Sequence, residues 1–186
     1  VIEHFIFLSS SMVYGNFKSN EVDESTNCEP IGIYGALKYA AEKIIISYNQ
    51  VFDLPYTIIR PSALYGERCI SRRVGQIFIE NALQNKEIEI HGDGSEKLDF
   101  TYIKDLIDGI TKVIENPNSK NEIFNLTFGQ GRPIFDLLNI LKENFPSTTI
   151  KKIPRDKLMP KRGTLSIEKA KSLINYNPNW PIDKAY

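Results

Sequence analysis

The sequence predicts an α/β fold in which a partial parallel sheet, built as a βαβ unit, precedes a smaller mixed α/β lobe. Two segments, His4–Ser10 and Tyr56–Pro61, are short and almost continuously apolar. Between them, residues Tyr34–Phe52 follow a helical pattern. Continuously apolar strands joined by a long helix are typical of a parallel sheet that is covered on both faces.

The ends of these two predicted strands mark the expected site. In parallel sheets, ligands bind beyond the carboxyl ends of the strands. This rule brings Ser9–Tyr14 and Pro61–Gly66 to one rim, with the start of the helix beside them. We therefore expect the chemistry of the protein to reside in these three pieces.

The pattern changes after Gly66, which we take as a domain boundary. The elements predicted beyond it are helices over Arg73–Asn85, Ile103–Glu115, Pro133–Asn144 and Ile167–Leu173, and strands over Glu87–His91, Leu98–Tyr102 and Glu122–Leu126. The turn Gly92-Asp93-Gly94 predicts that its flanking strands form a hairpin. The expected division is residues 1–66, rejoined by a strand over 122–127, as one unit, and residues 67–121 with 128–186 as the other.

Composition excludes several classes of protein. The 186 residues carry 23 Lys plus Arg and 23 Asp plus Glu, whereas nucleic-acid-binding proteins normally show a basic excess. No apolar run reaches the roughly 18 residues that a membrane span needs. The two cysteines, Cys28 and Cys69, are too few for a disulfide framework or a zinc cluster. We expect a cytoplasmic protein with no metal, nucleic-acid or membrane partner.

A Tyr-x-x-x-Lys spacing places a phenol and an ammonium group one helical turn apart, where they can form a general acid/base pair. The spacing occurs at Tyr14/Lys18, Tyr34/Lys38 and Tyr39/Lys43. Tyr14 precedes Gly15-Asn16, which is typical of a loop. Tyr39 falls opposite an apolar helical stripe, where a side chain usually faces water. Tyr34 and Lys38 lie on the flank of the stripe formed by Leu37, Ala40, Ala41, Ile44, Ile45 and Tyr48, so we select this pair.

The run Ser9-Ser10-Ser11 supplies a further candidate group. A hydroxyl at the carboxyl end of a strand can share a hydrogen bond with the phenol and with a substrate hydroxyl. Taken alone, a serine run is equally typical of a polar strand exit. With Tyr34/Lys38 beginning the next helix, the functional interpretation is favoured.

Several segments support a family resemblance when they are taken together and in order. They are Ser9-Ser10-Ser11-Met12-Val13-Tyr14-Gly15, Tyr34-Gly35-Ala36-Leu37-Lys38, Arg60-Pro61-Ser62-Ala63-Leu64-Tyr65-Gly66, Gly92-Asp93-Gly94-Ser95 and Asp99-Phe100-Thr101-Tyr102. This order resembles the extended short-chain dehydrogenase/reductases, and within them the NAD-dependent sugar-nucleotide epimerase/dehydratase family. The resemblance covers nearly the whole chain.

The resemblance implies a partial Rossmann-type parallel sheet for NAD or NADP, followed by a substrate-binding lobe. It implies an epimerase of a nucleotide-diphosphate sugar, acting through transient oxidation at C4. Tyr34 would remove a proton from the sugar hydroxyl, Lys38 would hold the nicotinamide ribose, and Ser10 would hydrogen-bond the reacting oxygen. The remaining implied contacts are Pro61 and Ser62 to the cofactor, and Ser11, Arg73 and Arg162 to the substrate. We also expect a homodimer through the Tyr34–Phe52 helix.

The sequence departs from the family pattern at three places. Dehydratases of the family usually carry an acidic pair where this chain has Ser11-Met12, so dehydratase activity is disfavoured. Ala63 and Leu98 replace an asparagine and an arginine that contact the substrate diphosphate in the family. Loss of these donors keeps open a short-chain reductase that acts on a non-nucleotide carbonyl substrate.

The glycine-rich turn that binds a dinucleotide pyrophosphate has no match in this chain. Neither Gly92-Asp93-Gly94 nor Gly129-Gln130-Gly131 follows a buried strand and opens a helix. We expect the missing half of the dinucleotide-binding fold to lie upstream of Val1, and this chain alone to be inactive. The alternative is a non-catalytic remnant or binding module.

Overall fold

Short strands alternate with helices along the chain. In the computed structural model, which describes residues 2–156 and 158–186, the strands are β1 (Phe5–Leu8), β2 (Glu21–Val22), β3 (Tyr56–Arg60), β4 (Leu64–Tyr65), β5 (Ile88–His91), β6 (Lys97–Asp99), β7 (Thr101–Tyr102), β8 (Glu122–Asn125), β9 (Gly131–Pro133), β10 (Ile150–Ile153) and β11 (Thr164–Leu165). The helices are α1 (Gly32–Phe52), α2 (Val74–Leu83), α3 (Ile103–Glu115), α4 (Ile134–Asn144), α5 (Glu168–Ile174) and α6 (Ile182–Ala185). Short 3₁₀ helices cover Ser11–Tyr14 and Pro117–Ser119.

The first sheet has three parallel strands in the order β1-β3-β8. Its central strand, β3, is buried at all 5 positions, as its continuous apolar sequence predicts. Helix α1 connects β1 to β3, and α3 precedes β8. The predicted class, a parallel βαβ unit followed by a mixed α/β lobe, is confirmed. The half of the dinucleotide-binding fold that we expect upstream of Val1 lies outside the described residues.

The predicted hairpin around Gly92-Asp93-Gly94 is wrong. Strand β5 pairs in parallel with β10, Ile88 opposite Ile150. The predicted strand Leu98–Tyr102 is divided between β6, which pairs antiparallel with β9, and β7, which pairs in parallel with β4. Alternation specifies which side chains face the core, but it does not specify the neighbouring strand. Here a strand more than fifty residues later covers Ile88 and Ile90, both of which are buried.

The two larger hydrophobic clusters form most of the core. One contains Phe78, Ile90, Phe100, Leu137 and their neighbours beneath α2 and α4. The other contains Ile59, Leu106, Phe124, Leu126 and Tyr176, which join the first sheet to α3 and α5. Among the described helices, none is both long and apolar enough to cross a membrane.

Helix α1 turns a different face to the body of the protein than its apolar pattern predicts. Its buried residues are Gly35 and Glu42, while Leu37 is 66% exposed and Ile44 60% exposed. Tyr39, predicted to face water, packs against the cluster of Val13, Tyr14, Val22 and Leu165. The predicted orientation of the helix is therefore wrong. Its rotation about its own axis is set by the close contacts of Gly35 and Glu42, and not by the apolar stripe. A Cβ atom at Gly35 would lie 2.6 Å from the main-chain oxygen of Met12.

Candidate active site

A cavity of about 490 Å³ opens at the carboxyl ends of β1 and β3 and extends into the second half of the chain. Its lining includes every predicted site residue: Ser10, Ser11, Tyr34, Lys38, Pro61, Ser62, Arg73 and Arg162. Between its ends the lining is mainly apolar, with Phe78, Ile90, Leu98 and Phe100. Residues that follow the strand ends and residues from the second half of the chain therefore line one cavity.

Tyr34 and Lys38 enter this cavity from the first turns of α1. The Lys38 Nζ donates a hydrogen bond of 2.8 Å to the main-chain oxygen of Leu8, at the end of β1. It lies 5.9 Å from the centre of the Tyr34 ring, whose side chain remains half exposed. The lysine thus ties the start of the helix to the strand end, with its ammonium group beside the phenol ring.

The other two Tyr-x-x-x-Lys pairs occupy different environments. Tyr39 and Lys43 are not among the described residues that line the cavity. Tyr14 is buried under Arg60, and burial raises the pKa of its phenol well above the ordinary value of 10.0. Lys18 forms an exposed ion pair with Glu29 at 2.7 Å. The structure therefore places only Tyr34/Lys38, of the three pairs, at the cavity.

The serine run continues the pairing of β1 with β3 beyond the strands. The main-chain nitrogen of Ser9 donates to the oxygen of Ile59 at 2.7 Å, and that of Ser11 donates to Pro61 at 2.9 Å. The Ser10 Oγ accepts a hydrogen bond of 3.2 Å from the main-chain nitrogen of Met12, which caps the 3₁₀ helix. These bonds hold the three serines against the segment that follows β3.

A buried ion pair, missed in the sequence, anchors α1 to β3. The Arg60 Nε and Nη2 donate to the two carboxylate oxygens of Glu42 at 3.0 and 2.7 Å. The Nη1 of Arg60 donates to the Tyr14 hydroxyl at 2.9 Å, and that hydroxyl donates to Asn125 on β8 at 2.9 Å. Burial alone would lower the pKa of Arg60, but the hydrogen bonds with Glu42 raise it overall. The only sequence signal for the pair was a charged residue closing an apolar strand.

Three basic side chains, Arg73, Arg155 and Arg162, lie close enough to influence one another. The Nε of Arg162 is buried without a hydrogen-bond partner among the described residues. Burial lowers the pKa of Arg162, and the positive charges of the nearby Arg155 and Arg73 lower it further. The negative charge of Glu96 acts in the opposite direction. Glu96 forms an ion pair with Arg155. A buried guanidinium nitrogen without a hydrogen-bond partner is costly, so this group of basic side chains suits an anionic ligand.

The positions that depart from the family pattern also line the cavity. Leu98 is buried and contributes an apolar wall, while Lys97 is exposed, as the alternation of the strand predicts. Ala63 adopts φ +33, a conformation that side-chain-bearing residues rarely take. Glu96 and His91, which were not predicted, also belong to the lining.

The described residues fit the nicotinamide end of a dinucleotide rather than its pyrophosphate. Gly92 and Gly94 belong to the turn before β6, and Gly131 begins β9, so neither glycine pair opens a helix. At the other end, the cavity offers Lys38, Tyr34 and the buried, unpartnered hydroxyl of Ser62. These polar groups suit a ribose or a carboxamide.

A family model, curated sequences and solved structures that match this chain all point to one family. A profile described as "NAD dependent epimerase/dehydratase family" matches residues 1–127. The chain is 32% identical over 178 residues to an uncharacterized UDP-glucose epimerase, YtcB, of Bacillus subtilis, covering 95% of this chain and 56% of YtcB. It superposes on a UDP-glucuronic acid 4-epimerase from Bacillus cereus, solved with UDP-glucuronic acid and NAD, with TM-score 0.93 and 30% identity over 98% of this chain and 58% of that one.

A UDP-glucose 4-epimerase from Thermotoga maritima, solved with UDP-glucose, gives TM-score 0.91 at 28% identity. That match covers 98% of this chain and 60% of the other. The chain thus spans between half and two thirds of the length of these relatives.

Proposed function

The chain belongs to the NAD-dependent epimerase/dehydratase family, and we propose that it forms the catalytic rim and substrate lobe of an enzyme that epimerises a nucleotide-diphosphate sugar through transient oxidation at C4. The observation that carries this proposal is the set of side chains that line the cavity described above. Hydroxyl, phenol and ammonium groups follow the strand ends, and the same lining contains Arg162, whose Nε is buried without a hydrogen-bond partner among the described residues. A sugar joined to a diphosphate has matching neutral and anionic ends.

In the proposed reaction, the Tyr34 phenol takes the proton of the C4 hydroxyl and later returns it. Ser10 hydrogen-bonds the reacting oxygen, and Lys38, held by Leu8, fixes the position of the phenol. The chemistry that a bound NAD or NADP supplies is the reversible acceptance of hydride. Tyr34, Lys38, Pro61 and Ser62 would hold its nicotinamide end.

We assign binding of the diphosphate to Arg73 and Arg162. We also assign Ser11 to the binding of the substrate. The apolar side chains of Ala63 and Leu98 cannot donate hydrogen bonds to phosphate, so we assign this role to the arginines of the lining. Arg162 supports this role because its buried Nε has no partner among the described residues. A bound anion would supply that partner.

The same observations support our proposed organisation of the chain. Residues 1–66 with the strand over 122–127 form the cofactor side, since β8 pairs with β3, and residues 67–121 and 128–186 form the substrate lobe. The exposed apolar residues of α1, including Leu37, Ile44 and Tyr48, support a homodimer through this helix. Sedimentation of the wild-type chain and of Ile44→Glu tests this: a monomeric wild type would contradict it.

A second candidate is a reductase of a carbonyl substrate that lacks a nucleotide. It is favoured by the apolar lining at Ala63 and Leu98, where the family places diphosphate contacts. Titration with UDP and UDP-glucose separates the two candidates. Binding of neither compound would favour the reductase.

The catalytic role of Tyr34 is tested by Tyr34→Phe in the intact protein, assayed for epimerisation of UDP-glucose with added NAD. We expect a rate loss of roughly a hundredfold or more, because a positioned acid/base group contributes about that much. Binding of UDP-glucose should persist. The matched control is Tyr39→Phe on the same helix, which should keep full activity. Full activity in Tyr34→Phe would refute the mechanism.

A further inference from the structure

An acidic side chain, Glu96, lies among the arginines of the cavity. It belongs to the cavity lining together with Arg73 and Arg162. Its carboxylate forms an ion pair with Nη1 of Arg155, and the side chains of Glu96 and Arg155 are only 20% and 28% exposed. The same carboxylate counteracts the effect of burial on the pKa of Arg162. Glu96 is therefore a weakly hydrated negative charge within a basic cluster.

Main-chain and side-chain contacts fix the position of this carboxylate. The main-chain oxygen of Glu96 accepts a hydrogen bond of 3.0 Å from the nitrogen of Ile134, at the start of α4. Its ion-pair partner Arg155 donates in turn to the main-chain oxygen of Met159 at 2.9 Å, and Met159 also lines the cavity. The negative charge of Glu96 is thus held beside the arginines at both ends of the residue.

A second glutamate of the lining, Glu89, has different surroundings. It pairs with Lys151 at 2.8 Å, and both side chains are about half exposed. Water and salt screen the charges of such an exposed pair. Of these two lining glutamates, Glu96 is therefore the one whose charge acts on the arginines with little screening.

The charges of the cluster can be compared with those of a ligand. Arg73, Arg155 and Arg162 carry three positive charges and Glu96 carries one negative charge, so the cluster has an excess of two. A sugar joined to a nucleotide through a diphosphate carries one negative charge on each phosphate. A free nucleoside diphosphate ends in a phosphate that gains a further negative charge above a pKa of about 6. The excess charge of the cluster therefore equals that of the sugar-linked diphosphate.

We propose that Glu96 is a specificity-determining residue, whose fixed negative charge favours an intact nucleotide-diphosphate sugar over the free nucleoside diphosphate. This inference rests on the proposed function, because it assumes that the diphosphate lies among the arginines. The carboxylate acts through its field and needs no contact with the ligand. Its repulsion grows with the negative charge of the ligand, so it disfavours the free nucleotide more strongly than the sugar-linked one.

The experiment is calorimetric titration of the intact protein, saturated with NAD at pH 8, with UDP and with UDP-glucose. Glu96→Gln removes the charge and nearly keeps the shape of the side chain. The ratio of the two affinities should then shift about fivefold towards UDP, the effect of one additional unit charge several ångströms away in a partly hydrated cavity. Contacts of the sugar cancel when this ratio is compared between wild type and variant. Glu96→Asp, which keeps the charge, should shift the ratio less.

The matched control is Glu87→Gln, which removes the same charge from an exposed position that is not among the described lining residues. It changes the net charge of the protein equally, and it should leave the ratio of affinities as in the wild type. An unchanged ratio in Glu96→Gln, or a shift towards UDP-glucose, would overturn this inference alone. Failure of the wild type to bind either UDP or UDP-glucose would instead overturn the proposed function on which it rests.

Discussion

Removing Glu42 should strongly destabilise the protein, because it leaves the guanidinium of Arg60 buried without its carboxylate. Glu42 and Arg60 are 1% and 2% exposed and share two hydrogen bonds, of 3.0 and 2.7 Å. A hydrogen bond to a charged group contributes about 1.5–3 kcal/mol, so losing two costs about 3–6 kcal/mol. Breaking a buried ion pair by removing one partner costs about 3–5 kcal/mol, which agrees.

We therefore expect Glu42→Ala to lower the free energy of unfolding by about 4 kcal/mol. For a chain of this length, that corresponds to a fall in Tm of roughly 8–16 °C. Urea unfolding can be followed through the fluorescence of the single tryptophan, Trp180. The matched control is Glu168→Ala, which breaks the exposed Glu168–Lys171 pair and should cost less than about 0.5 kcal/mol.

A double variant distinguishes the cost of an unpaired charge from the general cost of mutation at this site. Replacing both partners, as Glu42→Leu with Arg60→Met, should be less destabilising than Glu42→Ala, because no charge is left buried. If Glu42→Ala does not fold, Glu42→Gln, which keeps one acceptor, supplies the comparison. A loss below about 1 kcal/mol in Glu42→Ala would refute the reasoning.

Three further predictions concern other parts of the structure. Asp99→Asn should lower the free energy of unfolding by about 2 kcal/mol, measured by urea unfolding. The Asp99 carboxylate accepts hydrogen bonds from the main-chain nitrogens of Leu165 and Gly129, and the amide NH₂ of asparagine would face one of those donors. An unchanged free energy of unfolding would contradict this. Arg162→Ala should weaken UDP binding roughly tenfold or more in calorimetry, whereas Lys161→Ala, its exposed neighbour, should not; equal losses would refute the assignment. Burial lowers the pKa of His4, whose ring lies 2.8 Å from Thr57 Oγ1, below the ordinary value of 6.5, so the unfolded chain binds this proton more readily. The contribution of His4 to stability should thus fall as the pH is lowered through about 6.5, so the pH dependence of urea unfolding should differ between the wild type and His4→Gln in this range; identical pH dependence would contradict this.

Much of the candidate site follows from local sequence patterns. Apolar runs at Phe5–Leu8 and Tyr56–Arg60 joined by a helix predicted parallel strands, and parallel strands bring their carboxyl ends to one edge. That reasoning was sufficient to place Ser10, Tyr34 and Lys38 around one cavity. It also predicted the bounds of α3 correctly, since Ile103–Glu115 has a clear helical period.

Contacts between distant residues could not be obtained in the same way. The pairing of Glu42 with Arg60, and the rotation of α1 that goes with it, depends on which surfaces of the helix and strand meet. The apolar stripe of α1 suggested the opposite face. The Glu42–Arg60 ion pair and the close approach of Gly35 to Met12 determine the orientation of α1. The apolar stripe does not, because among the described residues it has no large apolar surface against which to pack.

By itself, the sequence determined the fold class, the strand-end rim and the catalytic candidates, because helix and strand periods are properties of neighbouring residues. Only the tertiary structure decided that β5 pairs with β10 rather than with β6, and that Glu42 is buried against Arg60. It alone also revealed that the hydroxyls of Ser9 and Ser62 have no hydrogen-bond partner among the described residues. These features depend on which distant segments together bury the most apolar surface, a property of the whole chain that no local pattern contains.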